Sequence, residues 1–213
     1  MRRAAVLIRP ATPDHGEGLL FARYMDQAAE GFFGFMLGRN AERIIACAFS
    51  EPGHSLSFEH VMFAERDGVV AGMISAFTGA QHRSFSEEPL RRAAGRSALR
   101  MACVRTLLGP LWRILNTVAE GDFYLQGMAV EPDLRGAGIG SILMADAEER
   151  ARGVGSARLC LDVAAKNEGA RKLYARFGMV ESSRWPASKL LPTVFVRMTK
   201  DLQCFGGERL GRE

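Results

Sequence analysis

Arg135-Gly136-Ala137-Gly138-Ile139-Gly140-Ser141 is the segment of this 213-residue chain whose residue types specify chemistry most plainly. Its glycines let the backbone come close to a bulky anion. The free amides at the start of a following helix then point at that anion, with the positive end of the helix dipole behind them. Such chemistry suits a pyrophosphate, and two ligand classes compete for it. A dinucleotide site would read Gly136-x-Gly138-x-x-Ser141, with Asp162 near the end of the next strand holding a ribose. Three features count against it. Ser141 replaces the third glycine, residues 131–135 separate strand from loop, and only one β-α-β unit is visible. A P-loop is excluded because no Gly-Lys-Ser/Thr ends the segment. The remaining class is coenzyme A.

For coenzyme A a wider pattern is available. Met128-Ala129-Val130-Glu131-Pro132-Asp133-Leu134-Arg135-Gly136-Ala137-Gly138-Ile139-Gly140 resembles the acetyl-CoA motif of the GNAT superfamily of N-acetyltransferases, Gln/Arg-x-x-Gly-x-Gly/Ala after a strand ending in an apolar-x-Pro step. Asn167-Glu168-Gly169-Ala170-Arg171-Lys172-Leu173-Tyr174-Ala175-Arg176-Phe177-Gly178-Met179 is similar to the second family motif, Asn-x-x-Ala-x-x-Leu-Tyr-x-x-x-Gly-Phe, departing only at Met179. Asp67-Gly68-Val69-Val70-Ala71-Gly72 adds a weaker likeness. Two motifs in the right order decide between the ligands, and the resemblance covers residues 123–180.

The resemblance implies roles. The backbone of Met128, Ala129 and Val130 would hydrogen-bond the pantetheine arm. The amides of Gly136, Ala137, Gly138, Ile139, Gly140 and Ser141 would hold the pyrophosphate, with Arg135 adding charge and Asn167 contacting the coenzyme. Bulk at Gly138 or Gly140 should then harm cofactor binding more than folding. Tyr174 occupies the family's usual acid position, protonating the departing thiolate. The amine must arrive neutral, so a base is also expected. Asp162 is the candidate, with Glu120 and Asp122 as rivals. The four histidines suggest no catalytic constellation.

Positioning these groups requires strands and helices, and hydrophobic periodicity supplies them. Residues 4–8 read as a first strand, and Thr12-Pro13-Asp14 as a helix start capped by the threonine hydroxyl. A second helix is predicted after Asn40, carrying Ile44, Ile45, Ala48 and Phe49 on one side. Residues 31–37 look too rich in glycine for a helix. Residues 58–64 and 69–77 form a predicted hairpin around Arg66-Asp67-Gly68. Residues 86–118 read as two inserted helices broken at Pro110, with Arg92, Arg96 and Arg100 sharing a face. Strands at 123–130, 157–163, 180–183 and 193–198 and helices at 138–152 and 167–177 complete the chain. The expected fold is therefore α/β: one mixed, mostly antiparallel sheet with flanking helices, the GNAT acyl-CoA N-acyltransferase fold with a helical insertion before the coenzyme-binding strand. No linker divides the chain, so residues 1–213 are expected to form a single domain.

Composition narrows the class. Hydrophobic residues make up 47% and charged residues 24%, which permits a packed core. The formal net charge of +4 suits an anionic ligand but falls short of a nucleic-acid binder's footprint. Cys47, Cys103, Cys160 and Cys204 show no metal-ligand spacing, and are expected to be buried, reduced thiols of a cytoplasmic protein. No signal peptide or membrane span is apparent. The expectation is an acetyl-CoA-dependent N-acetyltransferase without a metal, acting on a primary amine of a small molecule or a protein. A non-catalytic CoA-binding module and an NAD(P)-binding protein are the alternatives. The arginines of the insertion hint at an acidic acceptor or protein partner. Leu107, Leu108, Leu111 and Trp112 hint equally at a homodimer contact or core packing.

Overall fold

The computed structural model describes residues 5–109, 117–187 and 191–202. Its centre is a seven-stranded sheet in the order β1-β2-β3-β4-β5-β7-β6. The strands are β1 (Val6–Pro10), β2 (Val61–Arg66), β3 (Val69–Thr78), β4 (Asp122–Val130), β5 (Arg158–Ala164), β6 (Val180–Trp185) and β7 (Phe195–Asp201). Only β4 and β5 run parallel; every other neighbouring pair is antiparallel. The mixed, mostly antiparallel sheet expected from the sequence is the one that forms. Asp67 and Gly68 turn the β2–β3 hairpin with φ of 54° and 77°, the positive values that Asp-Gly tolerates. The predicted strand at 58–64 starts late, because Phe58–His60 forms a 3-10 turn. The Ser57 hydroxyl caps that turn by accepting from the Glu59 amide at 3.3 Å.

Eight α-helices are described: α1 (His15–Ala28), α2 (Phe32–Leu37), α3 (Ala41–Phe49), α4 (Gly79–Ser84), α5 (Glu88–Ala94), α6 (Ser97–Leu107), α7 (Ile139–Gly153) and α8 (Glu168–Arg176). Several differ from the sequence reading, and α4 was not foreseen. The cap of α1 is Asp14, whose carboxylate accepts from the Glu17 amide at 3.1 Å, while the Thr12 amide is taken by the Glu17 side chain. Residues 31–37 do form a helix: Gly31 and Gly38, at φ of 83° and 80°, lie at its two ends and bound it. The insertion breaks at Gly95, φ 49°, so Arg92 and Arg100 lie on different helices and share no face.

Those arginines have local partners. Arg92 pairs with Glu51 at 3.0 Å, Arg91 with Glu88, and Arg105 with Glu87, while Arg100 donates to the Phe35 carbonyl at 2.8 Å. Four arginines of the insertion thus have partners within the fold. Leu107 is exposed and Leu108 packs partly on the core. Pro110, Leu111, Trp112 and Arg113 lie outside the described residues.

Helices cover both sheet faces. On one, Phe21, Tyr24, Ile45 and Phe49 of α1 and α3 bury against Phe63 and Met73. On the other, Ile139, Leu143, Met144 and Ala147 of α7 pack on Ile74, Phe123 and Leu159. Each such side chain contributes about 1.5–3 kcal/mol by leaving water. At the start of the parallel pair, Arg158 grips the carboxylate of its directly opposite neighbour Asp122 through two hydrogen bonds, 2.8 and 3.1 Å.

Cys160 is buried in the sheet as expected. Cys47 and Cys103 are exposed, correcting the expectation of uniformly buried thiols: each lies on the outward side of its helix. All three are free, and Cys204 lies outside the described residues. Among the described residues no helix is long and apolar enough to cross a membrane.

The insertion leaves β3 and returns to β4 at a backbone contact. A Cβ on Gly79 would lie 1.9 Å from the Ala119 carbonyl oxygen and 3.0 Å from the Glu120 Cα. Backbone on that side cannot yield as a side-chain tip does. We expect Gly79→Ala to lower stability by about 2–3 kcal/mol in urea denaturation, and Gly153→Ala, where a Cβ meets nothing within 4 Å, to change it by less than about 1 kcal/mol. Equal effects would refute the contact.

Candidate active site

The β4–β5 ladder is short. It pairs residues from Asp122–Arg158 to Leu125–Leu161 and then stops, although β4 continues to Val130 on its β3 side and β5 to Ala164 on its β7 side. Beyond Leu125 the two strands diverge, and one edge of residues 126–130 loses its strand partner. The β3–β4 register also shifts between Ser75 and Ala76, leaving Gln126 as an extra residue in β4. Gly127 follows, and a Cβ there would lie 2.8 Å from the Met25 sulfur of α1. The wedge opens into a cavity of about 1110 Å³ that runs from the glycine loop to the inserted helices.

At one end lie two helix N-termini. Gly136 and Gly138 take φ of 79° and 93°, and Gly138 caps α7 without any side-chain hydrogen bond. The Ala137 amide donates to Leu134 at 3.3 Å and the Ser141 amide to Gly138 at 3.0 Å. Among the described residues no carbonyl accepts from the amides of Gly136, Gly138, Ile139 or Gly140. A Cβ on Gly140 would meet only the flexible tip of Leu173 at 3.3 Å and Val130 at 3.9 Å. Asn167 caps α8, its side chain accepting from the Ala170 amide at 3.1 Å, and it also lines the cavity. Arg135, beside the loop, and Arg176, at the far end of α8, also line the cavity. Free amides, two dipole ends and the Arg135 guanidinium form a donor set for a phosphorylated group. Next to them the unpaired edge of Gln126, Gly127, Met128, Ala129 and Val130 offers peptide groups to an extended, amide-bearing arm. The residues present fit coenzyme A.

Tyr174, on α8, and Asp162, on β5, also line the cavity. The Tyr174 hydroxyl has no hydrogen-bond partner among the described residues, and burial pushes its pKa up to about 12, so at neutral pH it is a proton donor. Asp162 is differently placed. Its directly opposite neighbour on β7, Arg197, donates to both carboxylate oxygens at 2.9 and 2.6 Å, and the Tyr124 hydroxyl donates to one of them at 3.0 Å. Neither rival lines the cavity: Glu120 is exposed and pairs with Arg83 at 2.7 Å, and Asp122 is held by Arg158.

Sequence reasoning missed Tyr124, Gln126 and Arg197. The signal for Arg197 was a lone charge in the apolar run 194–198, but its partner depends on the β5–β7 register. It also missed the far wall. Phe32, Phe33, Phe77 and Phe85 close that end, and His82 lies flat on Phe77 with ring centres 5.6 Å apart. His54 lines the cavity too, but both ring nitrogens are occupied. Nε2 bonds the Ala48 carbonyl at 2.8 Å, Nδ1 accepts from the Leu56 amide at 3.3 Å, and burial lowers its pKa.

With this architecture in place, the family can be stated. The family model described as Acetyltransferase (GNAT) family matches residues 22–179, and the chain belongs to that family. Its described residues contain no group of three or more side chains suited to a metal ion. Among solved structures, one described as an acetyltransferase is 24% identical, covers 92% of this chain and 100% of its own, and superposes with a TM-score of 0.65. An N-acetyltransferase from Staphylococcus aureus Mu50 is 16% identical, with coverage of 91% and 100% and a TM-score of 0.63. The ribosomal-protein-S18-alanine N-acetyltransferase from Escherichia coli is 17% identical, with coverage of 98% and 100% and a TM-score of 0.56. Comparison with curated protein sequences gave no match. The inserted helices therefore belong to a GNAT sheet, between its third and fourth strands.

Burial leads to a pH prediction. The chain has three tyrosines. Burial raises Tyr24 and Tyr174 to about 12 and Tyr124 well above 10. The folded state thus holds protons that the unfolded chain releases near pH 10. Stability contributed by the neutral phenols is intact below pH 10 and is lost as pH rises toward 12. Ultraviolet titration should show no phenolate in the folded protein at pH 10.5; a tyrosine ionising near 10 would contradict this burial.

Proposed function

We propose that this chain is an acetyl-CoA-dependent N-acetyltransferase, built as one domain and active on a primary amine. The observation carrying this reading is the wedge between β4 and β5, with free amides and helix N-termini at one end and a buried, protonated Tyr174 beside it. Three free cysteines among the described residues accord with the reducing cytoplasm.

In this reading Met128, Ala129 and Val130 hold the amide-bearing arm by backbone hydrogen bonds. Residues Gly136 to Ser141 hold the pyrophosphate, with Arg135 and Asn167 beside it. When bound, the coenzyme supplies a thioester-activated acetyl group. The chain supplies orientation and proton control. Carbon–sulfur cleavage and carbon–nitrogen formation turn an ammonium into an amide with loss of two protons. One ends on the thiol, delivered by the Tyr174 hydroxyl, and the other passes to solvent.

Asp162 is retained as candidate acceptor of the amine proton, in a narrower form. Its two carboxylate oxygens are occupied by three hydrogen bonds from Arg197 and Tyr124, which hinders direct contact with the amine. It therefore acts through a water molecule. A Tyr174→Phe variant should bind coenzyme A as the parent does in calorimetry and lose about a hundredfold in kcat; unchanged thiol release would remove Tyr174 from the chemistry. Asp162→Asn should lower kcat per folded molecule by at least tenfold. Lower thermal stability with kcat kept would make Asp162 a structural anion instead. Coenzyme A binding without thiol release for any amine would favour a non-catalytic module, and stabilisation by NAD(P) rather than coenzyme A would favour a dinucleotide site.

A further inference from the structure

The far end of the cavity has a composition that selects an acceptor. Its wall combines Phe32 and Phe33 of α2, Phe77 at the end of β3, Phe85 between α4 and α5, and the buried thioethers of Met36 and Met101. Phe77 and Phe85 meet edge to face, with ring centres 4.9 Å apart. The wall is thus a joint product of the inserted helices and the α1–α2 region.

Its carboxylates are already committed. Glu30 pairs with Lys166 at 2.8 Å, Glu87 with Arg105, and Asp162 with Arg197 at 2.6 Å. These are the acids that line the cavity. A ligand with a second ammonium would have to compete with a lysine or arginine for each of them. An apolar body, by contrast, gains in proportion to the area it removes from water against such a wall.

We infer that the acceptor is a small primary amine with an aromatic or branched aliphatic body, seated between α2 and the inserted helices; this rests on the acetyl-transfer reading. Apolar surroundings disfavour an ammonium. Entry of the amine head into this chamber therefore promotes loss of its proton to solvent, as transfer requires, and reduces the demand on the ion-paired Asp162. Polyamines, aminoglycosides and charged peptide N-termini lack the apolar body that the wall matches.

The test uses the full chain with acetyl-CoA and four probes: 2-phenylethylamine, isopentylamine, spermidine and an alanine-initiated peptide. Coenzyme A binding is first measured alone by calorimetry. The expected result is a kcat/KM for the two apolar amines at least tenfold above that for spermidine or the peptide. Phe85→Ala should raise KM for 2-phenylethylamine at least fivefold without altering coenzyme A affinity, and Phe85→Leu should restore part of it. Preference for spermidine or the peptide overturns this inference alone. So does failure of 2-phenylethylamine to bind the coenzyme-loaded protein. Failure of coenzyme A to bind the folded chain overturns the transfer reading and this one together.

Discussion

A peptide group that loses its neighbouring strand must find another partner, and this protein arranges five residues in that condition at the middle of its sheet. From Gln126 to Val130, β4 stays on β3 while β5 turns away with β7. A buried donor or acceptor left unsatisfied costs about 1–3 kcal/mol, so a gap of this kind persists only where water or a ligand reaches it. The surroundings keep it open. Arg158 and Asp122 fasten the base of the two strands, and seven paired residues with the Asp162–Arg197 bridge commit β5 to β7 beyond it. On the β4 side, Gly127 lets the Met25 sulfur of α1 approach. Gln27 of the same helix donates to the Val130 carbonyl at 3.2 Å.

The cavity that results is polarised along its length. Arg135 and the starts of α7 and α8 concentrate positive potential at the loop end, where the amides are unspent. The acids that line the cavity are each paired with a lysine or arginine. An elongated molecule with an anionic head and a reactive tail has one favourable orientation in such a field. Its tail then faces Tyr174.

Much of this was legible in the sequence, and the boundary between what was and was not is physical. The segment 123–180 carries local signals: a glycine pair at positive φ, a polar cap at Asn167, and helices whose apolar periodicity is unbroken. Local rules therefore located β4, α7, β5 and α8 to within a residue or two. The helix at 32–37 was missed because glycines at a helix's ends and glycines within it look alike in sequence. The break of the insertion at Gly95 was missed for the same reason. Asp162 shows the limit most clearly. Its place on β5 was readable, but its bond to Arg197 spans 35 residues and depends on β7 lying next to β5, which no spacing in the chain reveals.

The contact between Gly79 and Ala119 bears on how this fold can change. Gly79 and Ala119 bring the first and last residues of the inserted segment into backbone contact. A segment whose ends already meet can be lengthened, shortened or replaced at little entropic cost, since closing the loop depends only weakly on its length. The sheet and the glycine loop would not register the exchange. The chamber wall built by Phe85 and Met101 would. Gly79 thus divides the molecule into a fixed frame around the glycine loop and a replaceable cassette that shapes the far end of the cavity.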